Sequence, residues 1–294
     1  MSAMPYYLGA PVWACDRWAT DAGGPLYSTP NRRRWLGEYS TVFNTVEGNS
    51  TFYGLPDLPA VERWAADTAD GFRFALKFPS AITHERELLG AERETDDFLD
   101  RLAILRDADR LGPTLLQLPP YFAGDQLANL AAYLDRLPDW LPVAVEARHA
   151  DYFDGADVER ALDRLLAGRG ADRALFDSRP LFSAPPSDPI EQASQGRKPR
   201  SPFRTTVTGR SPMVRLVGRN HLPAVDPWIN EWAAVVGGWI EQGLTPYFFT
   251  HAPDDTFAPA FAERFHQELQ RRSPSLHNLP EWPGRAAPRQ QSLF

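Results

Sequence analysis

Eight short apolar runs recur about every thirty to forty residues along this chain. Each run stops at a polar or charged residue, except the first, which stops at Trp13. The runs are YYLGAPVW, FNTVEGN, FRFALKFP, TLLQLPP, VAVEARH, ALFDSRP, MVRLVGR and YFFTHAP. Most of the stretches between them carry apolar residues at helical spacing, such as Leu127, Leu130 and Leu134. The alternation predicts an α/β fold, a single (β/α)8 TIM-type barrel over residues 1–272.

Two stretches interrupt this rhythm. Residues 180–212 are rich in Pro and Ser, replace a sixth helix, and predict a long loop at the mouth of the barrel. Several basic residues of this insertion stand close together, namely Arg197, Lys198, Arg200, Arg204 and Arg210. Residues 273–294 contain four prolines and little periodicity, which predicts a flexible C-terminal tail.

The composition limits the class of protein. A net charge of −7 excludes a strongly basic surface for unspecific nucleic-acid binding. A single cysteine, Cys15, excludes an internal disulfide framework, so we expect a reducing cytoplasm. The sequence has neither a positively charged leader nor an apolar run near the roughly 18 residues of a membrane span. We therefore expect no membrane attachment.

The polar residues that end the runs predict a site, because barrel enzymes work at the C-terminal ends of their strands. Residues two apart on a strand share a face, which pairs Glu47 with Asn49, Glu146 with Arg148, and Asp177 with Arg179. The candidate ligand-binding residues are Trp13, Asn49, Lys77, His84, Gln117, Arg148, Asp177, Arg179, Arg215 and His251. Together with Glu47 and Glu146 they hold three acids and four bases, a formal charge of +1 with histidine neutral. A slight positive excess suits a polar or anionic ligand such as a sugar phosphate. The alternative is a layer of salt bridges that satisfies itself.

Glu47 and Glu146 are the candidate catalytic residues, because two carboxylates across a barrel mouth match the acid and base of a glycosidase. No metal ligand is assigned, since HxH, HExxH and CxxC spacings are absent. A divalent metal bound by His84 or His149 together with carboxylates stays open as an alternative, so the cofactor is unknown. The glycine-rich phosphate motifs GxGxxG and GxxxxGKS are absent as well.

Four stretches occur in an order typical of one family: FNTVEGNSTFYGLP (43–56), FRFALKFPSAITH (72–84), LLQLPPYF (115–122) and VAVEARH (143–149). With them the chain resembles the uncharacterised "domain of unknown function 72", or YecE-like, family over roughly residues 6–270. The resemblance implies a TIM-type barrel and no established activity. Many members have an Asn-rich segment where this chain has THAPD (250–254), so the resemblance implies no site role for His251.

The chain ends in QQSLF, which resembles the peptide motif that binds the bacterial sliding clamp. In such motifs the glutamine anchors by hydrogen bonds and the Leu–Phe pair fills an apolar pocket. Gln290, Leu293 and Phe294 are therefore candidate partner-binding residues. The alternative is that Leu293 and Phe294 pack back onto the barrel.

Three functions remain open from the sequence. The first is a hydrolase or isomerase acting on a phosphorylated, sugar-containing or nucleic-acid substrate, with the lysine and arginines binding the anion. The second is a non-catalytic factor in DNA maintenance, recruited by the sliding clamp and contacting DNA through the basic insertion. The third is a small-molecule binding protein without turnover.

Overall fold

Strands and helices alternate along the chain, and the computed structural model describes residues 4–19 and 25–286. The strands are β1 (Tyr7–Gly9), β2 (Thr45–Gly48), β3 (Arg73–Leu76), β4 (Thr114–Gln117), β5 (Val143–Glu146), β6 (Asp172–Asp177), β7 (Met213–Val217) and β8 (Tyr247–His251). The helices are α1 (Trp35–Val42), α2 (Ser50–Tyr53), α3 (Leu58–Asp67), α4 (Glu92–Asp107), α5 (Leu127–Arg136), α6 (Asp157–Gly168), α7 (Pro189–Arg197), α8 (Asp226–Glu241), α9 (Ala258–Arg272) and α10 (Pro283–Ala286). Each apolar run of the sequence contains one strand, so the predicted α/β class is confirmed.

All strand pairs in the described residues are parallel. Six strands form one sheet in the order β1-β8-β7-β6-β5-β4, which curves into a half-barrel, and β2 pairs with β3 in a second sheet. Regular ladder pairing is missing between β1 and β2 and between β3 and β4. The strands are therefore divided between two sheets, whereas the sequence predicted one closed sheet of eight.

The helices follow the apolar spacing of the sequence. In α5 the residues Leu130 and Leu134 are buried, and the helix ends shortly before Pro138. Helix α3 begins after Asp57, whose side chain accepts a hydrogen bond from the backbone N–H of Ala60 at 2.7 Å. Helices α4, α5, α6, α8 and α9 bury their apolar residues in the same core as the outward-facing strand residues, so they cover the outer faces of the sheets.

Alternation along the strands divides the apolar side chains into two cores. One set of strand residues packs outward against the helices: Leu8, Val46, Phe74, Leu116, Val145, Leu175, Val214 and Phe248. The other set forms a small inner core: Ala75, Leu115, Ala144, Ala174, Met213, Tyr247 and Phe249. Two residues further along most of these strands the inward position is polar, as at Lys77, Gln117, Glu146, Arg215 and His251. A polar layer therefore lies directly above the inner core, at the C-terminal ends of the strands.

The insertion predicted as a long loop contains helix α7. Asp188 begins it by accepting hydrogen bonds from the backbone N–H groups of Ile190 and Glu191, at 2.7 and 2.8 Å. Glu191 is fully buried, and its carboxylate binds Arg219, just after β7, at 2.8 Å and the backbone N–H of Asn220 at 2.7 Å. This contact ties the insertion to the strand ends, which a composition rich in Pro and Ser does not reveal.

The chain that follows α9 packs against the rest of the fold as far as residue 286. Leu276 and Trp282 are buried in the outer core. The backbone N–H of Gly284 donates to the carbonyl of Leu26 at 3.2 Å. This packing differs from the flexible tail expected from residue 273, because the prolines that prevent a further helix still allow an apolar residue to dock.

The predicted clamp-binding residues Gln290, Leu293 and Phe294 lie outside the described residues. Within residues 4–19 and 25–286, no helix is long and apolar enough to cross a membrane.

Candidate functional site

Arg215 lies at the centre of the polar layer and joins two buried glutamates. Its Nε and Nη2 donate to the two oxygens of Glu47 at 2.7 Å each, and its Nη1 donates to Oε2 of Glu146 at 2.5 Å. Both glutamates have no exposed surface, and Arg215 is 3% exposed. Charge-assisted bonds of this kind are short and strong. They connect β7 to β2 across the interior and to β5 on the other side.

A second guanidinium extends this network. Nε of Arg148 donates to the other oxygen of Glu146 at 2.6 Å, and its Nη2 donates to the side-chain oxygen of Gln117 at 3.0 Å. The Arg148 guanidinium also lies 4.6 Å from the centre of the Phe176 ring. The structure thus brings Gln117, Glu146 and Arg148 together, as the strand ends predicted.

Glu47 has two further partners. The side-chain amide of Asn49 donates to Oε1 of Glu47 at 2.7 Å. Nε2 of His251 lies 3.2 Å from Oε2 of Glu47, and His251 is buried. Both predicted residues therefore belong to the polar layer, as supports of this carboxylate.

The two glutamates are held ionised. Burial alone would raise the pKa of Glu47, but the Arg215 guanidinium and His251 lower it well below its usual range. Burial likewise raises the pKa of Glu146, but Arg148 and Arg215 hold it at about 2. Since every oxygen of both carboxylates is also hydrogen-bonded, neither group is suited to give or take a proton near neutral pH. The geometry shows both carboxylates paired with arginine inside the polar layer, and their acid–base role stays a prediction from the sequence.

Lys77 lies in the same layer without an acidic partner. It follows β3 directly, is 7% exposed, and its Nζ lies 3.7 Å from the centre of the Phe52 ring in α2. Among the described residues, no carboxylate oxygen comes within 4.0 Å of this amine and no group accepts a hydrogen bond from it. Burial and the nearby Arg215 guanidinium lower the pKa of Lys77 to about 7. The amine therefore exchanges protons close to neutral pH.

His84 lies beside this lysine, on the single π-helical turn Ala81–Glu85. Its ring stands edge-on to the Phe52 ring with centres 5.0 Å apart, and its Nδ1 shares a hydrogen bond of 2.8 Å with Thr83 Oγ1. Burial and the Lys77 charge lower the pKa of His84 to about 4. The imidazole is therefore neutral at physiological pH, and its Nε2 has no hydrogen-bond partner in the described part of the chain.

Lys198 also joins the site, although the sequence did not single it out as a ligand-binding residue. It follows α7, and its Nζ lies 5.8 Å from the centre of the Phe176 ring. Burial, and then the guanidinium groups of Arg215 and Arg148, lower the pKa of Lys198 to about 8. The available signal was composition: of the 31 lysines and arginines in the chain, only Lys77 and Lys198 are lysines.

Asp177 and Arg179 do not join the polar layer. Phe176 occupies the inward position at the end of β6, so its neighbour Asp177 faces α8 and accepts a hydrogen bond from Trp232 Nε1 at 2.8 Å. Arg179 binds Asp177 at 2.8 Å and Glu231 at 2.6 Å. The expected inward position of this pair is therefore incorrect.

Trp13 is separate from the polar layer as well. It lies beyond the end of β1, and its ring packs edge-on to Trp64 and Phe74 at centre distances of 5.0 and 6.1 Å. Phe74 faces outward to the helices, so Trp13 belongs to the outer core. It ends an apolar run without reaching the interior.

The described residues include no group of three His, Cys, Asp or Glu side chains placed to hold a metal ion. His149, the second histidine considered for a metal, has its Nδ1 3.2 Å from Asp151. The charged groups at the strand ends are instead arranged as guanidinium–carboxylate pairs.

Comparisons with known proteins agree with this architecture. Residues 7–286 match the family model described as "Protein of unknown function DUF72". The chain is 34% identical to UPF0759 protein YecE of Escherichia coli K12 over 288 residues, which cover 98% of this chain and 99% of that protein. Solved DUF72 family proteins from Enterococcus faecalis and Thermotoga maritima share the fold, with TM-scores of 0.67 and 0.66 at 17% and 20% identity. They cover 94% and 90% of this chain, and 98% and 99% of their own chains. The chain belongs to the DUF72 family.

Proposed function

We propose that the C-terminal ends of the strands bind a small polar molecule that carries a phosphate or carboxylate group. The observation that supports this proposal is the pair of amines, Lys77 and Lys198, which have no ion-pair partner in the described residues. With Arg148 and Arg215 they make four bases against Glu47, Glu146 and the nearby Asp255, an excess of one positive charge when all of these groups are ionised. Unpaired buried charge is costly, and a bound anion would supply the partner.

The surroundings favour a small ligand. The Ser178 hydroxyl donates to the carbonyl of Pro199 at 2.6 Å, so the segment after α7 is attached beside the end of β6. Beside Lys77, the exposed rings of Tyr53 and Tyr121 border the layer: Tyr53 packs on Phe52, and the Tyr121 hydroxyl donates to the His84 carbonyl at 2.7 Å. Exposed aromatic rings next to a buried cation suit a ligand with a sugar or another flat ring.

A closed barrel of eight strands is part of this proposal. Isolated parallel bridges join Phe74 to Leu111 and Lys77 to Leu115, between the edges of β3 and β4. The backbone N–H of Glu47 donates to the carbonyl of Ala10 at 3.1 Å, between β2 and the chain just after β1. These contacts lie at the two gaps between the sheets and favour a continuous wall around the polar layer.

The reaction, if the ligand is transformed, would use the groups that exchange protons near neutral pH. Glu47 and Glu146 are engaged with arginine, whereas Lys77 has a pKa of about 7. The predicted hydrolase or isomerase would therefore take Lys77 as its reactive group and the two glutamates as its frame.

Isothermal titration calorimetry with sulfate and with ribose 5-phosphate tests the binding proposal. Sulfate keeps its charge between pH 6 and pH 9, so a weaker affinity at pH 9 would report loss of protons from the lysines. We expect Lys77→Met and Lys198→Met each to weaken binding about tenfold, equivalent to about 1.4 kcal/mol. Arg160→Met, at an exposed arginine of α6, is the control that leaves affinity unchanged. Equal affinity in the double lysine variant, or no binding at about 10 mM ligand, would refute the proposal.

A role in DNA maintenance receives less support from the described residues. In the basic insertion, Arg204 binds Glu159 at 2.7 Å and the carbonyl of Phe153 at 2.7 Å, and Lys198 lies near the Phe176 ring. Arg204 is therefore engaged within the fold, and Lys198 belongs to the site at the strand ends, so neither extends a basic surface suited to a phosphate backbone. Recruitment by a sliding clamp stays a prediction from the sequence.

A further inference from the structure

Lysine is used at only two positions of this chain, and both belong to the same site. The other 29 of the 31 basic residues are arginines, and they form nearly all of the ion pairs on the surface. Arginine stays protonated in proteins and pairs well with carboxylates, whereas a lysine amine can lose its proton. The basic residues of this chain are otherwise arginines, and the two lysine amines lie where neither forms an ion pair in the described structure.

The surroundings of Lys77 favour the neutral amine. The charged groups that face it come from several elements: Glu47 of β2, Glu146 and Arg148 at the end of β5, and Arg215 of β7. Burial is the largest cause of the lowered pKa of Lys77, and Arg215 and Arg148 add to it; the two glutamates, which are bound by these arginines, oppose it in part. At pH 7.4 an amine with a pKa of about 7 is mostly neutral, whereas an ordinary lysine is neutral in about one molecule in a thousand.

A neutral amine that is buried beside cationic groups is a state in which lysine acts as a nucleophile. The Phe52 ring lies 3.7 Å from Nζ on one side. His84, on the same ring, presents a neutral imidazole whose Nε2 has no partner in the described residues. Arg148 is 12% exposed along its side chain, so it can meet an anionic group that enters the layer.

We propose that the Lys77 amine forms a Schiff base with the carbonyl carbon of a small aldehyde or ketone that carries a phosphate or carboxylate group. The inference rests on the proposed anion site and names its substrate class. Nζ attacks the carbonyl carbon, a C–N bond forms, and the carbonyl electron pair moves to the oxygen. A proton passes from nitrogen to oxygen and gives a carbinolamine. Loss of the hydroxyl with a second nitrogen proton releases one water and leaves the C=N bond, with no change of oxidation state.

Reductive trapping on the full chain tests this step. The protein is incubated with dihydroxyacetone phosphate and sodium borohydride, and the modified residue is found by peptide mass mapping. The unmodified sequence carries its own control, because only Lys77, Lys198 and the N-terminal amine can form such an adduct. We expect Lys77 to be modified at least about tenfold more than Lys198, as an activated nucleophile should be. Lys77→Arg should abolish the adduct. If that variant does not fold, the peptide map of the unaltered chain alone shows whether Lys77 is the modified residue.

Two further probes define the anion. Dihydroxyacetone lacks the phosphate and should be trapped poorly, whereas trapping of pyruvate would show that a carboxylate also serves. Equal trapping of dihydroxyacetone, an adduct confined to Lys198 or the N-terminus, or no adduct with any probe would overturn the inference. Calorimetry of dihydroxyacetone phosphate without borohydride separates the two proposals: binding without an adduct preserves the anion site and rejects the Schiff base, and the absence of both rejects both.

Discussion

Replacement of Lys77 by methionine should stabilise the protein, although the residue is buried. Methionine keeps the length and apolar stem of the side chain but removes the amine. Each pH unit by which a pKa is lowered corresponds to about 1.36 kcal/mol, so a pKa of about 7 in place of 10.5 sets an upper limit of about 5 kcal/mol on the penalty. The cation–π contact of the protonated amine with the Phe52 ring, 3.7 Å from Nζ, offsets about 0.5–2 kcal/mol of this penalty. We therefore expect a gain of about 2 kcal/mol at pH 6.

The pH dependence of this gain has a definite sign. The folded pKa of Lys77 lies below its unfolded value, so the penalty is fully present below about pH 7 and fades as the pH rises toward 10.5. Urea unfolding at pH 6 and pH 9 should show the advantage of Lys77→Met shrinking by roughly half. Arg160→Met, at an exposed side chain, should change stability by less than about 0.5 kcal/mol at either pH. A loss of stability in Lys77→Met, or a gain that does not vary with pH, would show that the amine is paired in the folded protein.

Two further substitutions and one peptide test separate predictions. Arg215→Met leaves buried Glu47 without a guanidinium partner and Glu146 paired with Arg148 alone, so we expect a loss of about 3–5 kcal/mol at pH 7 by urea unfolding; the loss should shrink toward pH 5, whereas the original protein loses the stabilisation from Glu146 only below about pH 4.5. Arg219→Met removes the ion-pair partner of buried Glu191, so trypsin should cleave the α7 segment faster, and an unchanged cleavage rate would contradict the anchoring role. A peptide of residues 289–294 should bind purified sliding clamp with micromolar affinity, and no binding at about 100 micromolar would reject the clamp motif.

Strand alternation predicts which side chains share a face, and it does not say which face is inner. The small residue Ala144, two positions before Glu146, lies in the inner core, so Glu146 also faces inward. For Asp177 the inner place belongs to Phe176, whose ring lies 4.6 Å from the Arg148 guanidinium. The same cue was available at both strand ends, because Ala174 also lies in the inner core, two positions before Phe176. The prediction for Asp177 failed because it took the polar residue that ends the run as the inward-facing one.

Lys198 escaped prediction for a different reason. It follows a helix inside a segment of Pro- and Ser-rich composition, where helical spacing is weak. The helix depends on the contact of Glu191 with Arg219, 28 residues away along the chain, and tertiary contacts of this kind override local propensity. The sequence shows that the chain has only two lysines. Only the structure shows that both amines lie near the same charged residues.

The sequence left open a ligand site or a layer of salt bridges that satisfies itself, and the polar layer combines paired arginines and glutamates with an amine that has no ion-pair partner in the described residues. Each oxygen of Glu47 and Glu146 accepts a hydrogen bond from an arginine, and in the described residues no carboxylate oxygen lies within 4.0 Å of the Lys77 amine. Because these bonds are buried and charge-assisted, they hold the acids in place more firmly than an isolated surface pair would. The amine therefore stays unpaired and its pKa stays low. Without Arg215, the glutamates would be the nearest partners for the lysine, and its pKa would rise. Burial is thus the main cause of the low pKa of Lys77, and the salt-bridge network adds to it by placing Arg215 beside the amine and engaging both glutamates.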